Sequence, residues 1–295
     1  MTQASGKYVK LFPVSRAGRA SQSALLSVSI YAVVAGSPAL AQPVNWTGFY
    51  AGLYAGGVWG RGKSTATSDC PASTGTTGGY YCDSTVAGTG ANASAVTSAA
   101  TGSNSSSSFA GGIQGGYNWQ TGSTVYGIEA DLGAFRIKGA RSASGVFPVS
   151  GGANQVNAGD TFTVTSSFDT TWLLTARGRV GWAASQWLIY ATGGLAVSRV
   201  NVGQTYSDNY NNAGFFGAGS ASTSTTKVGW TLGAGLEYAL TKNWSIKGEY
   251  LFVDLGSVSS LMAISNAGGV GYTNAIRIST DLTAHIARLG ANYRF

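Results

Sequence analysis

The last fifteen residues of the chain constrain its fold more than any other stretch. Residues 281–295 read DLTAHIARLGANYRF and end on an aromatic side chain. In steps of two from Phe295 back to Ala287 the residues are aromatic, apolar or small, whereas most of the intervening residues are polar or glycine. A period of two over this length predicts a β-strand with one apolar and one mostly polar face. Such a strand with a terminal aromatic residue is typical of the strand that closes a barrel in a bacterial outer membrane.

The first 41 residues have the three parts of a secretory signal peptide. Basic residues run to Arg19, an apolar run follows at residues 24–35, and residues 39–41 (Ala-Leu-Ala) fit the small-x-small cleavage rule. The apolar run is too short to span a membrane as a helix, and prolines lie directly after it. We therefore predict a cleaved signal peptide at 1–41 and a mature domain at 42–295.

Composition narrows the class of protein. Only 10% of residues are charged, 12% are aromatic and 44 are glycine, which is too apolar for a disordered chain and too poor in charge for an ordinary soluble helical protein. The net charge is +7, but four of the 18 basic residues lie in the first nineteen positions, which leaves 14 − 11 = +3 for the remainder. Nucleic-acid binding therefore has little support. After the leader no segment approaches ~18 consecutive apolar residues, so no transmembrane helix is predicted.

Alternating segments recur through the mature domain and predict eight strands. Their approximate bounds are 46–60, 107–120, 124–138, 170–183, 187–199, 227–240, 244–256 and 281–295. Three connections have about three residues and the other four are long, and all five prolines fall outside the strands. This pattern predicts an all-β fold, an eight-stranded antiparallel up-and-down transmembrane β-barrel with short periplasmic turns and long extracellular loops.

Aromatic residues occur at both ends of the predicted strands. Near the short turns and the chain end lie Trp119, Tyr126, Trp182, Trp187, Tyr238, Trp244, Tyr293 and Phe295; toward the long loops lie Trp59, Phe109, Trp172, Trp230 and Phe252. Two such belts around an apolar span of roughly 9–11 residues match the two interfaces of a bilayer. The alternative, a soluble sandwich or lipocalin, would not place Trp and Tyr on its outside at both ends.

Acidic and basic residues in the central part of the strands all have inward parity. In chain order they are Glu129, Asp131, Arg177, Arg179, Glu237, Lys247, Glu249 and Arg288. The acids of the third strand lie beside the arginines of the fourth. Glu249 lies beside Arg288, and Glu237 lies beside Lys247. Because the interior of an eight-stranded barrel is just wide enough for side chains, we expect these charges to pair and plug it. The alternative is a selectivity filter or proton path.

Three further groups of residues lie outside this cluster. Bases of outward parity just past the upper aromatic belt are candidates for contact with lipopolysaccharide phosphates, or are ordinary solvated loop bases: Arg61, Lys63, Arg136, Lys138 and Arg199. The two cysteines, Cys70 and Cys82, are twelve residues apart, and in an oxidising compartment we expect a disulfide. The single histidine, His285, lies in another strand, so neither a metal site nor a cofactor is expected.

A series of strand motifs resembles a known family. The motifs are NWTGFYAGLYAGG, YGIEADLGA, TARGRVGWA, YATGGLA, GLEYAL, WSIKGEYLFVDLG and LGANYRF. They are similar to those of the small porin-family outer-membrane proteins of alphaproteobacteria, barrels of OmpA-like transmembrane type related to the major surface proteins of rhizobia and brucellae. The resemblance covers all eight strands but not the loops, and it implies the outer membrane of a Gram-negative bacterium. The aromatics Tyr293 and Phe295 resemble the signal that the barrel-assembly machinery reads.

The expected function is structural, with surface display of the loops. The main alternative is ligand binding by the loops, to a host surface, to a phage or to haemin, a trait within the related family. The best loop candidate is the aromatic patch of Tyr206, Tyr210, Phe215 and Phe216, which packing within the loop would equally explain. An open diffusion porin conflicts with the strand count. Some eight-stranded barrels act on lipid A with a His and a nearby Ser, but Ala287 holds the same-face position next to His285, so no enzyme is expected.

Overall fold

The computed structural model describes residues 44–70, 80–82, 89–151, 155–210, 216–266 and 274–295. These residues belong to a compact unit that runs from Ala41 to Phe295. The predicted signal peptide at 1–41 lies outside the described residues.

The described chain forms an antiparallel ring of strands. The elements are β1 (Gly48–Asp69), α1 (Thr89–Ala100), β2 (Gly102–Thr121), β3 (Thr124–Phe135), β4 (Lys138–Val146), β5 (Thr161–Ala184), β6 (Trp187–Asp208), β7 (Gly217–Ala239), β8 (Trp244–Ala263), β9 (Ser265–Asn266) and β10 (Ala275–Arg294). The ring runs β1-β2-β3-β5-β6-β7-β8-β10 and returns to β1; β4 pairs with β5 after β3 ends, and β9 pairs with β7. Over the described residues this is the predicted all-β, up-and-down ring with eight strand positions.

The last strand closes the ring against the first. β10 pairs with β1 along its whole length, from Ala275 opposite Asp69 to Arg294 opposite Tyr50. We traced the cross-strand partner of Trp59 on β10, then the partner of that residue on β8, and so on around the ring. The trace returns to β1 at Phe49, ten residues before Trp59. A shear of ten over eight strands tilts each strand by about 41° for the usual strand spacings, and leaves an interior that side chains can fill.

Most strands extend further toward the long connections than the sequence predicts. For example, β5 begins at Thr161 instead of 170, and β6 ends at Asp208 instead of 199. The outward faces of these extensions are rich in hydroxyl residues, which hydrogen bond across strands; Ser144 Oγ lies 2.8 Å from Thr163 Oγ1. Their inward faces are apolar, as at Val200 and Val202. A strand of this kind has no lipid-facing stripe, so its composition resembles that of a loop.

The predicted third strand is divided in two. β3 ends at Phe135, and β4 begins at Lys138. The hydroxyl of Thr170 donates to the Phe135 carbonyl (2.6 Å) and accepts from the Ile137 amide (3.2 Å), beside a register shift in β5. The prediction of one strand at 124–138 was therefore wrong at its upper end, where a side chain replaces part of the backbone ladder.

Helix α1 lies within the first long connection, which the sequence predicted as a loop. Its sequence, TGANASAVTSAA, is rich in alanine, the residue with the highest helix propensity. The side-chain amide of Asn92 donates to Val149 O (2.8 Å) and accepts from Val149 N (3.1 Å), which fixes the helix to the next connection. Arg141 donates to Ala99 O (2.6 Å) near the C-terminus of α1, where a cation is favourable. The described residues include no helix long and apolar enough to cross a membrane.

The interior is layered along the barrel axis. Near the short turns lies a small apolar cluster around Trp46, Val125 and Leu188. Above the charged residues lies a larger apolar cluster that includes Leu251 and Val253. A third cluster, nearest the long connections, comprises Ala66, Tyr80, Tyr81, Val96, Ala100, Phe147, Val156, Phe162, Val164, Tyr206, Tyr210, Met262, Ile264, Ile276 and Ile278. The charged residues therefore lie between apolar layers.

Candidate functional site

The candidate site is the charged interior of the ring. Strand alternation turns residues two apart to the same face, so each of five strands contributes one or two charged side chains. They are Glu129 and Asp131 of β3, Arg177 and Arg179 of β5, Glu237 of β7, Lys247 and Glu249 of β8, and Arg288 of β10. Each of these residues is 2–4% exposed. The structure thus brings together the whole set of inward charges predicted above, and their formal charges sum to zero.

Glu129 is the centre of this cluster. The ammonium of Lys247 lies 2.8 and 2.9 Å from its two oxygens, and Arg177 forms a close ion pair with it. The hydroxyl of Tyr50 donates to the same carboxylate at 2.7 Å. Arg179 and Arg288 lie slightly further away, at 3.6 and 3.7 Å. One carboxylate is therefore shared by cations from three other strands.

Two arginines bridge the remaining carboxylates of β3 and β8. Arg177 contacts Asp131 at 2.8 Å and Glu249 at 3.2 Å. Arg288 contacts Asp131 at 3.0 Å through Nη2 and donates to Glu249 at 2.7 Å through Nε. The hydroxyl of Thr175 donates to Asp131 at 2.7 Å. Each arginine uses its forked donors on at least two acids, a geometry that a lysine cannot reproduce.

The partner of Glu237 differs from the neighbour that the sequence indicated. Lys247 is its cross-strand partner in the β7–β8 pairing, yet the Lys247 ammonium points to Glu129. Glu237 instead pairs with Arg179 at 2.9 Å and accepts from Ser245 (2.5 Å). In a ring of this width long side chains reach across the interior, so adjacency along the wall does not determine the pairing.

Tyrosines complete the cluster, and the sequence reasoning did not include them. Tyr190 donates to Glu249 at 2.9 Å, and the Arg179 guanidinium lies 4.0 Å from the centroid of the Tyr190 ring. The guanidinium of Arg288 lies 4.2 Å from the centroid of Tyr54. Contacts of this kind between cations and aromatic faces strengthen when both groups are desolvated. The inward parity of these tyrosines is the sequence feature that could have identified them as members of the cluster.

Two glycines make room for these rings. A Cβ added at Gly235 of β7 would overlap the ring of Tyr190, and one added at Gly116 of β2 would lie 2.6 Å from the Tyr50 hydroxyl oxygen. The rings therefore lie directly on exposed backbone of neighbouring strands. Glycine is required here by close approach and not by an unusual backbone angle.

The end of the ring near the short turns is covered by residues before β1. The sequence placed Trp46 at the start of the first strand, but β1 begins at Gly48 and Trp46 is fully buried. Its backbone amide donates to Gln120 Oε1 at 2.7 Å, and the Arg294 guanidinium lies 4.6 Å from the centroid of its ring. A Trp–Arg stack thus lies across this end of the interior.

At the opposite end, the described residues of the long connections pack on the third apolar cluster. The predicted disulfide between Cys70 and Cys82 is formed, with 5.5 Å between the Cα atoms. Beside it, the carboxylate of Asp208 accepts hydrogen bonds from the hydroxyls of Tyr80 and Tyr206, both at 2.8 Å. Burial raises the pKa of the Asp208 carboxyl, although these donors act to lower it. Burial likewise raises the pKa of Tyr80 and Tyr206.

The predicted aromatic patch in the third long connection is not one exposed surface. Tyr206 and Tyr210 are each 2% exposed and belong to the upper apolar cluster. Phe216 is 51% exposed, and Phe215 lies outside the described residues. Packing therefore accounts for both tyrosines.

The outer wall carries the remaining candidate residues. Arg61, Lys63, Arg136, Lys138 and Arg199 are all exposed. His285 is exposed as well, and its Nδ1 lies 2.5 Å from the Tyr250 hydroxyl oxygen. At the chain end Tyr293 is 38% exposed and Phe295 79% exposed. Within the described residues no group of three or more His, Cys, Asp or Glu side chains is arranged to hold a metal ion.

Comparison with known proteins gives a consistent family. Residues 71–295 match the model of a family described as outer membrane protein beta-barrel domain. The 31 kDa outer-membrane immunogenic protein of Brucella melitensis is 31% identical over 285 residues, which cover 94% of this chain and 98% of that protein. The 22 kDa outer membrane protein of Rhizobium leguminosarum is 34% identical over 149 residues, covering 50% and 54%. The solved structure of the Escherichia coli outer membrane protease OmpT covers 84% of this chain and 97% of its own, with 10% identity and a TM-score of 0.38, too weak a likeness to support an assignment.

Proposed function

Since this chain belongs to the family of outer membrane protein β-barrel domains, an outer-membrane location follows, and we propose that it is a structural, surface-displayed protein whose interior is sealed by ion pairs. The strands anchor the protein in the membrane. The long connections form a folded cap on the cell surface.

The main observation in support of a sealed interior is the charged cluster between apolar layers. An ion that crossed this level would have to displace side chains such as Arg177 and Glu129. These two side chains already neutralise each other in an ion pair, and Arg177 also pairs with Asp131. It would then meet apolar layers at Leu188 on one side and Leu251 on the other. Breaking a buried pair costs about 3–5 kcal/mol, and an apolar constriction adds a further barrier to a hydrated ion.

The cap supports the display role. α1, the disulfide-linked segment at Tyr80–Cys82 and the strand extensions pack on a common apolar cluster. Residues presented by such a packed unit keep a defined surface geometry. The Brucella melitensis relative is named an immunogenic protein, which supports exposure to the outside of the cell.

Conductance in planar lipid bilayers tests the sealed interior. Purified wild-type protein, shown to be folded by a mobility in gels that changes on heating, is expected to give no stable channels. The double variant Arg177→Ala, Arg288→Ala removes both bridging cations, and if it folds it should give intermittent currents. The exposed-base variant Arg199→Ala is the matched control and should remain silent. Stable ion-passing channels from folded wild-type protein would overturn the proposal.

A further inference from the structure

Four of the five bases named above as candidates for lipopolysaccharide contact lie on one side of the barrel wall. Arg61 and Lys63 are on β1, and Arg136 and Lys138 lie at the junction of β3 and β4. β2 runs between these two pairs, because it is bonded to β1 on one side and to β3 on the other. Arg199 is on β6, three strand positions beyond β2 in the ring, and donates to its own neighbour, Ser224 Oγ, at 2.9 Å.

The two pairs flank the same row of serines. Ser105 is the cross-strand partner of Arg61, and Ser103 is that of Lys63. On the other side, the backbone amide of Lys138 donates to Ser106 Oγ at 3.3 Å. Ser106 has inward parity and is not part of the outward row, but this bond places the start of β4 beside Ser105 and Ser107. Strands in a sheet lie about 4.8 Å apart and a strand advances about 3.4 Å per residue. Arg61 and Lys138, the nearest members of the two pairs, are offset by about two residues along β2, so their backbones are roughly 12 Å apart. The side chains of Arg61 and Lys138 can therefore reach one anion above the serines.

The serine row begins where the wall stops being apolar. On β2 the exposed outward residues are Ile113 and Phe109 below, then serines at 107, 105 and 103. On β1 the exposed Trp59 lies directly below Arg61 on the same face. An apolar face that ends in aromatic residues marks the bilayer interface. The four bases therefore stand at the level of the outer-leaflet headgroups.

The bases are available to a ligand. The acids opposite them in the pairing are Asp281 for Lys63 and Asp169 for Lys138. Within the described residues neither acid forms a salt bridge with its lysine. Arg61 makes one hydrogen bond, from Nη2 to Ser103 Oγ at 3.3 Å, which places its guanidinium over the serine row.

We propose that Arg61, Lys63, Arg136 and Lys138, with the β2 serines between them, form a binding strip for the phosphorylated glycolipid of the outer leaflet, lipopolysaccharide. The guanidinium and ammonium groups bind its phosphates through charge-assisted hydrogen bonds. The serine hydroxyls bond to its sugar hydroxyls. The strip rests on the outer-membrane location and is independent of whether the interior is sealed.

Binding of lipopolysaccharide to the purified, folded barrel tests the strip. The variant Arg61→Gln, Lys138→Gln removes one base from each side of β2 and should lower the bound lipopolysaccharide by roughly tenfold or more, since each charge-assisted bond contributes more than a neutral one. Arg199→Gln, the matched control on β6, should bind as the wild type does. Lipopolysaccharide stripped of phosphate should bind weakly to all three proteins.

A conservative variant and a conductance recording complete the test. The conservative variant Arg61→Lys, Lys138→Arg retains both charges and should retain binding, which tests charge even where the glutamine variant folds poorly. Unchanged binding by the folded glutamine variant, or an equal loss in Arg199→Gln, would overturn the strip. Conductance recorded on the same preparations separates this outcome from a failure of the sealed interior.

Discussion

Glu129 is the residue on which the charged interior most depends. Lys247 and Arg177 both use it as a principal partner, and Tyr50 donates to it. Neutralising this carboxylate removes a negative charge that balances two buried cations, Lys247 and Arg177. Such a change is costly because Lys247 and Arg177 are both buried, and a buried charge that loses its partner is destabilising.

We expect Glu129→Gln to lower the free energy of unfolding by about 3–5 kcal/mol, the usual cost of removing one partner from a buried pair. Urea unfolding in lipid vesicles, followed by tryptophan fluorescence, measures this change. Asp281→Asn is the matched control, since Asp281 is an exposed acid, and should change stability by about 0.5 kcal/mol or less. Equal effects of the two substitutions would show that the cluster does not stabilise the fold.

For individual residues, the sequence predicts which side chains face inward but not how they pair. Strand alternation fixes the face of every residue once a single face is known, which is why the inward parity of Arg288 could be read from Leu289 and Phe295. The choice between Glu237 and Glu129 as the partner of Lys247 depends on distances across the interior. No local pattern carries that information.

Among the strands, β7 illustrates a constraint that local propensity does not show. Gly235 is unfavourable in a strand on its own, because glycine contributes no packing side chain. The Tyr190 ring from β6 covers this position and so compensates for the missing side chain. The ring is thereby held against Arg179 and Glu249.

Gly235→Val should displace the Tyr190 ring and lower the free energy of unfolding by about 1–3 kcal/mol, as expected for overpacking. The same vesicle unfolding assay measures it. The control is Gly248→Val on β8, where an added Cβ would meet only Leu289 Cδ2, at 3.6 Å, on the outer face. A loss at Gly248 as large as that at Gly235 would indicate a general intolerance of strand glycines to substitution and not a contact with Tyr190.

The disulfide acts on the cap and not on the membrane-embedded ring. Cys82 follows Tyr81, which is 1% exposed and packs in the upper apolar cluster. Closing a loop of this length stabilises it by roughly 3 kcal/mol in the chain-entropy model. Cys82→Ser should therefore speed protease cleavage of the first long connection and leave bilayer conductance unchanged. Reductant should reproduce this in the wild type and have no further effect on the variant; equal protection in both proteins would contradict the role of the bridge.

The elements of the cap were the least predictable part of the fold. The strand extensions alternate apolar residues inward with hydroxyl residues outward, and without a lipid-facing stripe their composition suits a loop as well as a strand. α1 is short of the periodic apolar residues that mark a helix, and only Val96 and Ala100 are buried apolar anchors in it. Its stability comes from tertiary contacts such as Asn92 with Val149, which sequence periodicity does not record.

Over the whole molecule, closure of the ring depends on both ends of the chain. β1 and β10 are the first and last strands, and they pair over twenty residue positions. This arrangement was predictable, because an even number of alternating segments joined by short turns and long connections has few ways to avoid exposed strand edges. Until β10 is in place the edge of β1 is unpaired, and from this we predict that assembly depends on recognition of the last strand.

A substitution at Phe295 can separate recognition of the last strand during assembly from the stability of the folded barrel. It is 79% exposed on the outer face, and its ring contacts Tyr293 at 5.3 Å between centroids, so it adds little to the folded barrel. We expect Phe295→Ser to reduce the amount of barrel assembled in cells several-fold while in vitro refolding and urea resistance change by less than about 1 kcal/mol. Phe49→Ser, which removes an aromatic side chain of similar exposure from the start of β1, is the matched control and should assemble normally. If both variants assemble equally well, the terminal aromatic is not required for assembly, and its role is that of an anchor at the membrane interface.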